Sequence, residues 1–269
     1  FGFPKMGVRG AAIATVSGQT LALCIAVCLN LFKNKEINFR FRNLKPDIKI
    51  IRDIYQVGAP AIINQSFNSL LAFGVNFIII KISSTAVAAF GIYIKVQNFI
   101  LLPVFGLNNG VIAITAFNYG ARDKKRIDAS IKYGVLYAVC MMLAGTVFVQ
   151  VFAQPIVSLF DASDELTSIC VRAMRVISLT YVIAAFTLIA QGVYQALGNG
   201  IYSLFITLTR VVIVLLPVLY IFSKVLPVSQ IWWAFSLAEG ASAFTGFFLL
   251  KRIYNRRVAK LNHGNNTII

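Results

Sequence analysis

The sequence predicts an all-α polytopic membrane protein with about seven transmembrane helices, and three observations carry that prediction. Hydrophobic residues make up 58% of the chain and charged residues only 13%, with a mean hydropathy of +0.79. Soluble domains sit nearer to about half apolar and about a quarter charged. Apolar runs long enough for about 20 residues of membrane-spanning helix recur along the chain. Lys and Arg, finally, crowd into a few polar connections. A net charge of +16 would suggest nucleic acid as the partner of a soluble chain. Here it reads as the basic bias of membrane loops, so the expected partner is the lipid bilayer and no nucleic acid is expected.

The spans run over 8–32, 56–80, 86–118, 131–160, 166–195, 201–222 and 229–250. The first is rich in Gly and Ala (Gly7, Gly10, Ala11, Ala12, Ala14, Gly18), and small residues let helices approach closely in lipid. The connection 33–52 is the longest polar segment and the expected domain boundary; Ile48, Ile51, Ile54 and Tyr55 suggest that part of it forms an interfacial helix. The second span carries an amide-rich flank. On a helix, Asn64, Asn68 and Leu71 share one face, with Gln65 and Ser69 about 100° round. The third is too long for one straight crossing, and Pro103 with Gly106 predicts a kink. Gly120 suits its C-cap. The fourth and fifth are apolar apart from Arg172 and Arg175, with Gln191, Tyr194 and Gln195 at the end of the fifth. The sixth holds Arg210 and Pro217, and the seventh holds Glu239, the only acidic side chain deep in any span.

Basic residues set the orientation. The segments 33–52, 122–132 and 251–260 hold seven, five and five of the 25 Lys and Arg, while the opposite side holds four. The N-terminus is therefore expected outside and the C-terminus in the cytoplasm. Cys24, Cys28, Cys140 and Cys170 all fall inside spans, where thiols act as packing residues. Cys24 and Cys28 are four apart, but the single histidine, His263, lies in the tail, so no metal site is expected. No nucleotide loop, catalytic triad or haem pattern is present, and neither a cofactor nor an enzymatic reaction is expected.

Five stretches carry a resemblance: Gly7–Thr15, Gly58–Ser66 (Gly-Ala-Pro-Ala-Ile-Ile-Asn-Gln-Ser), Phe117–Arg122, Gln195–Gly200, and Arg210 followed by Leu215-Leu216-Pro217. With these in order and spacing, the chain resembles the multidrug and toxic compound extrusion (MATE) transporters. The resemblance implies twelve helices in two lobes, alternating access, and export of small organic, cationic substrates against sodium or proton flow across a bacterial cytoplasmic membrane. On that map residues 1–32 are the last helix of the N-terminal lobe, 33–55 the cytoplasmic linker, 56–252 a six-helix C-terminal lobe and 253–269 a polar tail. Five helices of the N-terminal lobe would be missing. Some relatives carry a cation-binding Glu eight residues after the proline matching Pro60; this sequence has Asn68 there, so the coupling ion and its site do not transfer.

Several side chains stand out as site candidates. Asn64, Gln65, Asn68, Gln97 and Asn98 either line a substrate cavity or form interhelical hydrogen bonds. Lys95 and Glu239 lie at similar depth, so they are expected to pair, or Glu239 serves as a coupling carboxylate. Arg175 and Arg210 have no evident acidic partner in sequence and are expected to cap carbonyls or contact substrate. A secondary-active exporter is the first reading. The alternatives are a lipid-linked-sugar or polysaccharide flippase of the same superfamily, which intramembrane Arg and Lys would suit, and a seven-helix receptor.

Overall fold

The computed structural model describes residues 7–32 and 47–261. Most of the expected connection 33–52, and the tail beyond residue 261, lie outside the described residues. The chain divides into two compact units, Phe1–Ile51 and Arg52–Ile269.

In the first unit, α1 (Gly7–Phe32) is a 26-residue helix whose apolar side chains stand exposed. Thr20 and Asn30 return their side-chain donors to the carbonyls of Val16 and Ala26, at 2.8 and 3.2 Å. Polar groups on a lipid-facing helix stay satisfied this way without a partner helix.

The second unit is all helical among its described residues. After α2 (Ile48–Ile79), which starts just before the division, come α3 (Ser84–Gly120), α4 (Lys124–Ser158), α5 (Asp164–Ser178) and α6 (Tyr181–Ala196). Then α7 (Gly200–Leu208) passes through a π-helical segment, Thr209–Leu215, into α8 (Leu216–Val225). The last helix, α9 (Trp233–Ile253), ends in a second π-helical turn, Tyr254–Val258. Six helical stretches are long and apolar enough to cross a membrane, and α5 with α6 makes a seventh as a pair bent by 54°.

The boundaries differ from expectation at both ends of this unit. Ile48, Ile51, Ile54 and Tyr55 are the exposed first turns of α2 and form no separate interfacial helix. The last span continues to Val258, beyond the expected end at residue 250.

The core lies where α3, α4, α5 and α6 pack together, with α9 against α6 and the π-helical segment. Small side chains set the spacing. A Cβ on Gly145 of α4 would run into Ile100 Cγ2 of α3, so these helices approach as closely as two backbones permit. Large apolar side chains such as Phe73, Phe99, Phe117 and Phe244 point outward. A soluble bundle would hide them; a bilayer solvates them.

The interruption comes at an unexpected place. α3 runs for 37 residues through Pro103, whereas the fifth span breaks at Leu179–Thr180, where there is neither Pro nor Gly. The carbonyls freed there are met from α4: Gln150 Nε2 donates to Arg175 O at 2.8 Å, and Thr146 Oγ1 to Ser178 O at 3.0 Å. Thr180 Oγ1 adds a bond to Ile177 O at 2.7 Å. Unmet carbonyls in lipid each cost several kcal/mol, about the scale that makes a break need such partners.

The end of α3 also departs from expectation. Gly120 is its last helical residue, and the left-handed position falls on Arg122, at φ 57°. Arg122 N–H bonds Tyr119 O at 3.2 Å and Asp123 N–H bonds Asn118 O at 3.0 Å, the two-bond ending that usually employs glycine. α6 ends identically, but with Gly198 at φ 72°.

Candidate functional site

The amides of α2 do not converge on one partner. Asn64 is half-buried and turns toward α6, where its Nδ2 lies 3.5 Å from Gln191 Oε1, at the outer limit of a hydrogen bond. Its Oδ1 is buried without a partner among the described residues. Asn68 and Gln65 are exposed and bond each other at 3.3 Å within the helix. Beside them runs a shallow groove along α2, lined by Ile63, Ser66, Phe67, Ser69, Leu70 and Phe73. Further along, Val75 and Ile79 are buried, and Gly74 abuts Leu216 of α8.

The α3 candidates stand apart from these. Gln97 is half-buried and Asn98 exposed, and no hydrogen bond among the described residues links either to α2. The residue that meets α2 is Gln191, 127 positions away from Asn64. On α3, Asn108 points its Oδ1 at Gly192, next to Gln191; that oxygen too is buried and unpartnered among the described residues.

The expected Lys95–Glu239 pair does not form. Glu239 Oε1 lies 2.9 Å from Arg210 Nη1, and the side chains are 15% and 26% exposed. Ser242 Oγ also lies 3.3 Å from Glu239 Oε2 and donates to Glu239 O at 2.9 Å. Equal depth was a sound criterion but an insufficient one, because the direction in which a side chain leaves its helix decides the partner. Arg210 sits in the π-helical segment, which packs directly on α9. Lys95 is exposed, and its Nζ lies 5.8 Å from the ring centre of Phe160, within cation–π range.

Aromatic groups enclose the pair. Tyr93 of α3 is buried and faces Tyr181, Glu239 and Arg210. Its ring packs on Phe90 and Phe235, at 6.0 and 6.3 Å between centres, and Trp232 packs on Phe90 at 6.4 Å. Apolar walls lower the local dielectric, which strengthens the attraction and raises the cost of either charge standing alone. Sequence reading missed Tyr93 and Tyr181, since tyrosines in an apolar run give no sign of which polar group they face. Tyr194 was visible at the end of the fifth span; its hydroxyl donates to Gly246 O at 2.6 Å, tying α6 to α9.

Arg175 occupies the last turn of α5 beside the bend. Its side chain is exposed; its carbonyl, not its guanidinium, makes the local hydrogen bonds. A cation there complements the helix dipole. Among the described residues no cluster of three or more His, Cys, Asp or Glu is placed to hold a metal.

A helical bundle with outward apolar faces, polar amides along an outer helix and one charge pair inside it defines a multi-pass membrane protein of the transporter class. The chain belongs to the MatE family, whose model matches residues 60–221. It is similar to the multidrug export protein MepA of Staphylococcus haemolyticus, 24% identical over 256 residues, covering 93% of this chain and 55% of that protein. It is also similar to the probable multidrug resistance protein NorM of Thermotoga maritima, 25% identical over 225 residues, covering 83% of this chain and 48% of that protein. The solved structure of a multidrug resistance MATE family transporter, in an outward-facing conformation, superposes with a TM-score of 0.86 at 23% identity, covering 96% of this chain and 58% of that one. The chain thus spans about half the length of the curated relatives it matches.

Proposed function

We propose that this chain works as one lobe of a secondary-active multidrug exporter in a bacterial cytoplasmic membrane. Residues 56–252 form the lobe that rocks against a second one, and the amide flank of α2 faces the cavity between them. The observation that carries this reading is the placement of Gln65 and Asn68, polar, exposed and bonded only to each other on a helix otherwise suited to lipid. Such groups are stable in a membrane where they meet water, substrate or a facing helix. The substrates are small organic cations, which carboxamide oxygens accept as hydrogen-bond donors without a charge of their own.

Export is driven by inward sodium or proton flow. Asn68 cannot take up a proton, and the charge of Glu239 is already matched by Arg210. Any coupling through Glu239 therefore requires that pair to open. The pairing also removes Arg210 from the free positive charge that a flippase would use for a pyrophosphate, which favours the exporter over that alternative. Membership of the MatE family leaves no place for the receptor reading.

Efflux of a fluorescent cationic dye, measured in cells carrying the complete protein with and without sodium at two external pH values, tests this. Gradient-dependent efflux that falls several-fold in Gln65→Leu/Asn68→Leu supports the reading. Absence of efflux under every gradient, or a double variant exporting at the unsubstituted rate, overturns it. Glu239→Gln with unchanged pH-dependent export removes Glu239 from coupling.

A further inference from the structure

Two basic segments distant in sequence meet at one end of the bundle. Residues 122–132 and 251–260 carry five Lys or Arg each, against two acids, Asp123 and Asp128. A hydrogen bond joins them, Tyr254 OH donating to Asp128 Oδ1 at 2.6 Å, with Ile127, Ile253 and Val258 buried around it. That bond occupies one acid. The other, Asp123, caps α4 and lies 3.5 Å from Arg126. Among the described residues Arg126 is the only one of the ten basic groups in an ion pair, and most of the others are exposed.

Loop charge that merely orients a membrane protein needs neither of two further features seen here. Arg122 occupies a left-handed backbone position that glycine fills without strain, as Gly198 does at the matching end of α6. A strained non-glycine residue points to a use for its side chain. The patch also borders apolar surface at one level on both helices. Tyr133 and Tyr137 are exposed, stack at 6.3 Å and follow Lys132 on α4; Phe247 and Phe248 are exposed just before Lys251 and Arg252 on α9. Aromatic side chains beside cations mark the headgroup level of a membrane.

We infer that this patch, centred on Arg122, Lys125, Lys132, Lys251, Arg252 and Arg256, is a binding site for the phosphodiester headgroup of an anionic phospholipid. Guanidinium groups match two phosphate oxygens at once, and the flanking aromatic faces accept the acyl chains. Tyr254 and Asp128 hold the two halves of the site together.

The test titrates the full-length protein, in uncharged detergent at low salt, with dihexanoylphosphatidylglycerol, with dihexanoylphosphatidylcholine and with inorganic phosphate. Phosphatidylglycerol is expected to bind tightest and to weaken as salt rises. Arg122→Gly should weaken it by roughly five-fold and Lys251→Gln/Arg252→Gln by roughly 25-fold, the factors set by about one basic group each near a charged headgroup. Lys224→Gln, away from the patch, should change nothing. Because glycine accepts the left-handed backbone, Arg122→Gly keeps or raises the melting temperature, so lost binding cannot be blamed on unfolding. Equal affinity for the two lipids overturns the inference, as does unchanged phosphatidylglycerol binding in both patch variants. Inorganic phosphate binding as tightly as phosphatidylglycerol also overturns it, since the site would then recognise an anion and no lipid.

Discussion

The amide flank of α2 and the pair between Arg210 and Glu239 are both polar groups on apolar helices, yet they are held in opposite ways. Around the pair, a 2.9 Å contact is backed by Ser242 and enclosed by Tyr93 and its aromatic neighbours. Along α2, contacts are 3.3 and 3.5 Å long, one of them internal to the helix, and one buried amide oxygen has no described partner. The lesson is that polarity at membrane depth serves two purposes. Groups that fix the bundle are short-bonded and sealed; groups meant for something that comes and goes are left with capacity to spare.

Substitutions can break or sharpen that contrast. The largest effect belongs to Glu239→Ala, which strands Arg210 and should lower stability by about 3–5 kcal/mol, read as thermal unfolding in detergent. Replacing both partners together, Arg210→Met with Glu239→Leu, should recover most of that loss; a double variant as unstable as the single one would show that more than the pair is at stake. Next comes Ser242→Ala, which removes a donor to the ionised Glu239 and should cost about 1.5–3 kcal/mol by the same measurement. The smallest effect on stability is Asn64→Leu, about 0.6 kcal/mol or less, because its bond to Gln191 is long and of the ordinary intramembrane kind. Should Asn64→Leu destabilise more than Ser242→Ala, the contrast between the two regions fails.

Much of the fold was legible because a bilayer demands long apolar helices, and those are visible in any sequence that contains them. The bend in the fifth span was not, since nothing at Ser178, Leu179 or Thr180 announces it. Its cause lies on another helix, in Thr146 and Gln150. Pro103, the evident breaker, sits within an uninterrupted helix assignment. The site shows the same division. Asn64, Asn68 and Glu239 were conspicuous as polar residues in apolar surroundings, but their partners were not. Depth along a helix can be counted from sequence, whereas the azimuth of Arg210 depends on a local widening of its helix that no composition rule predicts.

That widening has a consequence for how the chain tolerates change in length. In the segment Thr209–Leu215 the helix closes its bonds five residues apart, as where Leu216 N–H reaches Val211 O. Just beyond it stands Pro217, which has no N–H to offer. Removing a single residue from this stretch would let it tighten to an ordinary α-helix, and everything on one side would turn by about 100° relative to the other. Arg210 and the buried Leu219 could then no longer both keep their present neighbours. Conservative exchanges within Thr209–Leu215 should be absorbed, while a one-residue deletion there should act like a register error in a screw thread.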